Sequence, residues 1–226
     1  MYRSSVYYFG ALLLLAIPAF WPTYFFPPKY EADWHVHLHG LAMFAWVVLM
    51  IVQASLIRAR RPALHRRLGK GSYVLVPLMV LSTVLLAGYR LRQRIELDSL
   101  YFLYVQLFLM ALLATGWILA MAHRREPQLH MRYMVCVALT LVDPILARIL
   151  FFYGGVDFPP TQVVTFGVVD AILIALALHD RAHHPAIGVY PRMLVVFVIA
   201  ELPTFFLYKL PAWHAFAEAY AALPLP

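Results

Sequence analysis

Residues 35–57 read HVHLHGLAMFAWVVLMIVQASLI, twenty-three residues without one Asp, Glu, Lys or Arg. As a helix that stretch is about 35 Å long at 1.5 Å per residue, enough to cross a hydrocarbon core of about 30 Å. Six more segments of the same kind flank it, at about 6–26, 71–89, 100–121, 133–153, 161–179 and 191–210. The spacing predicts an all-α polytopic bundle of seven spans, a single integral membrane domain over residues 1–226. Composition agrees, with 63% hydrophobic and 13% charged residues, where a soluble domain carries about 45–50% and 25%. Disordered and ordinary soluble classes are thereby excluded. The run from Val6 to Phe26 exceeds the roughly 7–15 apolar residues of a signal peptide, so it reads as a retained first helix.

Connections are short, and their charges orient the chain. With the N-terminus inside, the inner segments hold twelve basic residues: Arg3, Arg58, Arg60, Arg61, Arg66, Arg67, Lys70, Arg124, Arg125, Arg132, Arg181 and Arg192. The outer segments hold five, Lys29, Arg90, Arg92, Arg94 and Lys209. The positive-inside rule then predicts a cytoplasmic N-terminus and an outside C-terminus, in a bacterial-type inner membrane. Aromatic residues such as Trp21, Tyr24, Tyr101 and Trp213 fall at the outer boundary, as an interfacial belt requires. The net charge of +7 is accounted for by these loops and does not call for nucleic acid. The inner Arg-rich loop is suited to anionic lipid headgroups, at about 1 kcal/mol per basic residue. One cysteine, Cys136, permits no disulfide within the chain.

Ionisable groups at membrane depth face protein or water, because lipid does not solvate them. Asp143, Asp170 and Glu201 lie near the middle of the fifth, sixth and seventh segments, roughly 14 Å below the outer boundary. His39, Gln106 and Arg148 form a shallower tier. Three carboxyls and one guanidinium do not all pair as ions, so at least one acid is protonated or meets another partner. The plainer alternative is helix–helix glue. Pro144 and Pro203 each free a backbone carbonyl, those of Thr140 and Ile199, which serve as acceptors if they line a cavity and otherwise mark a kink.

His35, His37 and His39 alternate at the outer end of the second segment. His35 and His39 share a helical face, and all three converge if the first residues are extended. Imidazole suits Zn, Cu or Fe, so the three are candidate metal ligands, and a wet histidine cluster is the alternative. His39, Met43, Trp46, Met50 and Gln53 form one stripe of that helix and are expected to face protein. Haem b is disfavoured, since His39 has no histidine partner at its depth on another segment. Gly-rich phosphate loops and the G-x-S-x-G and H-E-x-x-H motifs are absent.

The run HLHGLAMFAWVVLMIVQASLIRARRPALHRRLGKGSYVLVPLMVLS at 37–82, Leu-His-Met-Arg-Tyr-Met at 129–134, and Asp143-Pro144 with Arg148 resemble an uncharacterised group of bacterial multi-pass membrane proteins. The resemblance covers roughly residues 35–155 and implies fold and topology only. It implies that His37, His39, Trp46, Gln53, His65, Arg67, Gly69, Asp143 and Arg148 are motif positions. A looser analogy is to seven-helix hydrolases of the progestin and adiponectin receptor group. The late H-x-x-x-H of that group is missing here. The reading with which the sequence leaves us is a membrane protein with an outer metal site supported by midplane carboxyls. The alternatives are a proton-coupled transporter or channel using those acids, an assembly protein, and a haem protein.

Overall fold

The structure is a computed structural model that describes residues 5–26, 33–184 and 186–225. Arg3 and Lys29, two of the residues that orient the chain, lie outside the described residues. Among those described there are helices and no strands. Seven helical segments are long and apolar enough to cross a membrane, so the chain is an all-α, multi-pass membrane protein with seven spans.

The chain gathers into two compact units, one ending at Tyr89 and the other running from Arg90 to Pro224. The first holds α1 (Ser5–Phe20), a π-helical turn at Trp21–Phe25, α2 (Trp34–Arg58), α3 (Pro62–Gly69) and most of α4 (Ser72–Gln93). Asp33 caps α2, its carboxylate accepting from the His35 backbone N–H at 3.0 Å. This satisfies a donor that the first helical turn leaves open. The expected stripe of α2 faces protein: Trp46 and Met50 are buried, while Leu41 and Phe44 on other faces are exposed. The basic connection after α2 is itself helical. α3 starts at Pro62, where proline's missing N–H costs nothing.

The second unit holds α5 (Leu97–Ala122), α6 (Pro127–Leu139), α7 (Val142–Phe152), α8 (Pro160–His183), α9 (Val189–Glu201) and α10 (Pro211–Ala221). Its core is formed by residues such as Phe108, Tyr133, Phe166, Leu173, Tyr190 and Phe197. Gly116 lets α5 and α6 approach closely, since a Cβ there would stand 2.8 Å from a Val137 methyl. Outward positions of the same helices, such as Ile118, Leu178, Val195 and Ile199, are exposed, as lipid-facing residues are.

Both mid-span prolines interrupt their helices. The fifth span breaks at Thr140–Leu141 into α6 and α7, just before Asp143-Pro144. The seventh leaves α-helical geometry after Glu201 and continues as 3-10 turns at Leu202–Phe205 and Leu207–Lys209. The ring of each proline excludes the normal bond to the residue four earlier, so the backbone tightens or turns there. The seventh span ends at Lys209, in line with the apolar run to about 210, and α10, a short alanine-rich helix, follows it without a counterpart among the seven apolar segments.

Candidate functional site

Asp143 is buried in the first turn of α7, where the break in the span exposes it to α8. Its Oδ1 accepts from the Gln162 amide and the Thr165 hydroxyl, which lie on one face of α8 at i and i+3. Gln162 Nε2 also donates to Thr165 Oγ1 at 3.2 Å, and the Tyr101 hydroxyl of α5 donates to Gln162 Oε1 at 3.4 Å. Gln162 and Thr165 are fully enclosed. Two side chains of α8 therefore hold the Asp143 carboxylate directly, and Tyr101 of α5 joins them through Gln162.

Arg148, half-buried on α7, donates through Nη1 to the Pro144 carbonyl one turn back, at 2.8 Å. The acid whose charge it feels is Asp143. Asp170 instead pairs with Glu201: the two carboxyls, from α8 and the end of α9, lie within hydrogen-bonding reach of each other. Asp143 is close enough for its charge to act on Glu201 as well. Glu201 is buried and Asp170 half-buried, with its Oδ1 lacking a hydrogen-bond partner among the described residues. Polar groups flank Glu201: Ala200 O, at the end of α9, accepts from the Tyr104 hydroxyl at 2.7 Å, and the enclosed Thr204 hydroxyl in the following turn has no partner among the described residues. Asp143, Asp170 and Glu201 thus stand on α7, α8 and α9, three helices packed in sequence in the second unit. Gln106 stands half-buried on α5 and is not hydrogen-bonded into this set.

The three histidines of α2 are not brought together. His35 is buried, stacked between the Trp34 ring at 3.8 Å and the Tyr89 ring at 4.7 Å, with Nδ1 on the Asp33 carboxylate. His37 is exposed and meets the Tyr24 hydroxyl at 2.9 Å. His39 Nδ1 lies 3.2 and 3.3 Å from the hydroxyls of Ser82 and Thr83 on α4. The helix begins at Trp34, so consecutive side chains fan out by 100° per residue instead of alternating across an extended strand. Among the described residues no group of three or more His, Cys, Asp or Glu stands in a metal-holding arrangement.

A second buried charge pair was not singled out from the sequence. Arg132 of α6 grips Asp180 of α8 with two parallel bonds, through Nε and through Nη2 at 2.9 Å, and its Nη1 donates to the Gln128 side chain at 2.7 Å. Both residues are enclosed. Arg132 had been counted with the loop charges, because linear distance from the span's end says nothing of a partner 48 residues away. The signal that was available is Asp180 itself, an acid still inside α8 beside a basic loop.

No family model, curated protein or solved structure matches this chain.

Proposed function

We propose that this multi-pass membrane protein moves protons across the bilayer, as a proton-coupled transporter or channel, and that the Asp170–Glu201 pair holds the transported proton. The observation that carries the reading is the contact of two carboxyls from different helices in mid-span, with Asp143 beside them. Two carboxylates in contact away from water repel strongly, so the pair keeps one proton between them. A group that holds a proton in mid-span and has an acceptor neighbour is what stepwise transfer requires. Asp143 plays a different part. Gln162 and Thr165 both donate to its Oδ1, so it is fixed against α8 as a neighbour of the pair and is not the proton carrier. The breaks at Thr140–Leu141 and after Glu201 support the same reading, because non-helical backbone at membrane depth belongs where it meets protein or a cavity.

In the same proposal the N-terminus and the Arg58–Lys70 segment are cytoplasmic, the membrane is a bacterial-type inner membrane, and the Arg-rich segment contacts anionic lipid. The test is made on purified protein in liposomes. Infrared spectra of the wild type are expected to contain a protonated carboxyl stretch that Glu201→Gln lacks. Proton entry under an imposed gradient is expected to exceed that of protein-free vesicles, and to fall roughly tenfold or more in Glu201→Gln and Asp170→Asn, a barrier change of about 1.4 kcal/mol. Wild-type vesicles no leakier than protein-free ones, with no protonated carboxyl band, would overturn the proposal.

A further inference from the structure

The chain does not stop at its last span. After the 3-10 turns the backbone is extended at Leu210 and then enters α10, whose first residue is Pro211. Three aromatic rings run along this helix: Trp213 stacks on Phe216 at 4.9 Å, and Phe216 on Tyr220 at 5.9 Å. Trp213 ties the helix to the first turn of the fourth span, its indole N–H donating to Leu100 O at 3.0 Å and its ring meeting Tyr104 edge-on at 5.7 Å. That span begins at Leu97, so α10 is held at the level where a span enters the bilayer.

At 100° per residue the surface of α10 divides into three arcs. Trp213, Ala217 and Tyr220 occupy the packed one, with Ala217 fully buried. Ala212, Phe216 and Ala219 share an exposed apolar arc, and Phe216 is 44% exposed. His214 and Glu218 lie on the opposite side, in an i,i+4 pair 3.3 Å apart. The apolar arc is not isolated. Exposed apolar residues continue toward it from the lipid-facing side of the last span through Ile199, Leu202, Phe206 and Leu210, and beyond it at Leu223.

We infer that α10 is an interfacial helix whose Ala212–Phe216–Ala219 arc is seated in phospholipid, at the boundary of headgroups and acyl chains, with the His214–Glu218 side in water. The occupant follows from continuity along the chain: exposed apolar residues run from the outside of the preceding span, where lipid is the solvent, through Leu210 to α10, with exposed Lys209 at the level where a cation meets headgroups. Tryptophan and tyrosine prefer this level of a bilayer, and a helix with one apolar and one charged side lies along it. α10 then anchors the end of the seventh span, beyond the 3-10 turns that follow Glu201. The inference does not depend on proton transport or on which side of the membrane α10 occupies.

Single spin labels at Ala212→Cys, Phe216→Cys and Glu218→Cys, in vesicles of phosphatidylcholine and phosphatidylglycerol, test it directly. The native Cys136 is buried and gives little background. Labels at 212 and 216 are expected to collide with oxygen several-fold more readily than with a water-soluble nickel chelate, with the order reversed at 218. Alanine 212 is small and exposed, so its variant keeps the test open should Phe216→Cys fold poorly. Nickel-favoured labels at 212 and 216, like that at 218, would put the helix in water and overturn the inference. Labels at 212 and 216 shielded from both reagents would mean protein covers the arc, and would overturn it too.

Discussion

The guanidinium of Arg132 and the carboxylate of Asp180 have exchanged water for each other, and such an exchange gains little net stability. Its value lies in the penalty for breaking it. Asp180→Ala removes the carboxylate opposite an enclosed cation and should lower unfolding stability in detergent by about 3–5 kcal/mol. Replacing both partners, as Arg132→Met with Asp180→Leu, should recover most of that loss. A double variant as unstable as the single one would show that the pair contributes more than mutual neutralisation. Asp33 allows a pH prediction. The backbone N–H of His35 above all holds its carboxyl below the usual 3.8, against the opposing effect of burial and with smaller help from the His35 ring and the charges of His35 and His37. A depressed carboxylate stabilises the fold above its unfolded value and loses that contribution as pH falls through the folded one. The His35 amide should therefore stay protected from exchange down past pH 3.8, and Asp33→Ala should remove the protection at every pH.

Helix crossing is governed by small residues where backbones approach. At the contact of α5 and α6 a Cβ on Gly116 would stand only 2.8 Å from Val137 Cγ2. Gly116→Ala should cost about 1–3 kcal/mol through overpacking, read as a lower unfolding midpoint in micelles. Val137→Ala in the same chain should relieve part of the clash, because the blocking atom is a methyl of that side chain. The crossing matters for the candidate site, since α5 carries Tyr101 and Tyr104 and α6 leads through the Thr140–Leu141 break to Asp143.

Across the whole chain, the proposed orientation rests on the charge count and is open to a direct check. Leu64→Cys in α3 and Glu218→Cys in α10, tested separately in intact cells with an impermeant maleimide, should give labelling at 218 and none at 64 until the membrane is opened. The reverse pattern would invert the topology and leave the acid cluster untouched. A second whole-molecule check separates the histidines from the acids. If proton movement rests on Asp170 and Glu201, replacing His37 and His39 together should leave proton entry unchanged, and elemental analysis of the wild type should show no bound metal that this double variant loses. A metal present in the wild type and lost from the variant would restore the outer histidines as a ligand set.

Span number, span length and the presence of three acids in mid-span were legible in the chain, because bilayer thickness translates directly into the length of an apolar run. Even the helix interruptions were marked, by Pro144 and Pro203. Which groups meet was not legible. The rotation of each helix about its axis and its register against its neighbours come from packing such as that of Gly116 on Val137, and hydropathy carries no record of either. So His35, His37 and His39, adjacent in sequence, diverge to separate partners once α2 is helical from Trp34. Conversely, Arg132 and Asp180, or Asp170 and Glu201, are distant along the chain and become partners only when their helices pack, where burial makes each charge depend on the one opposite.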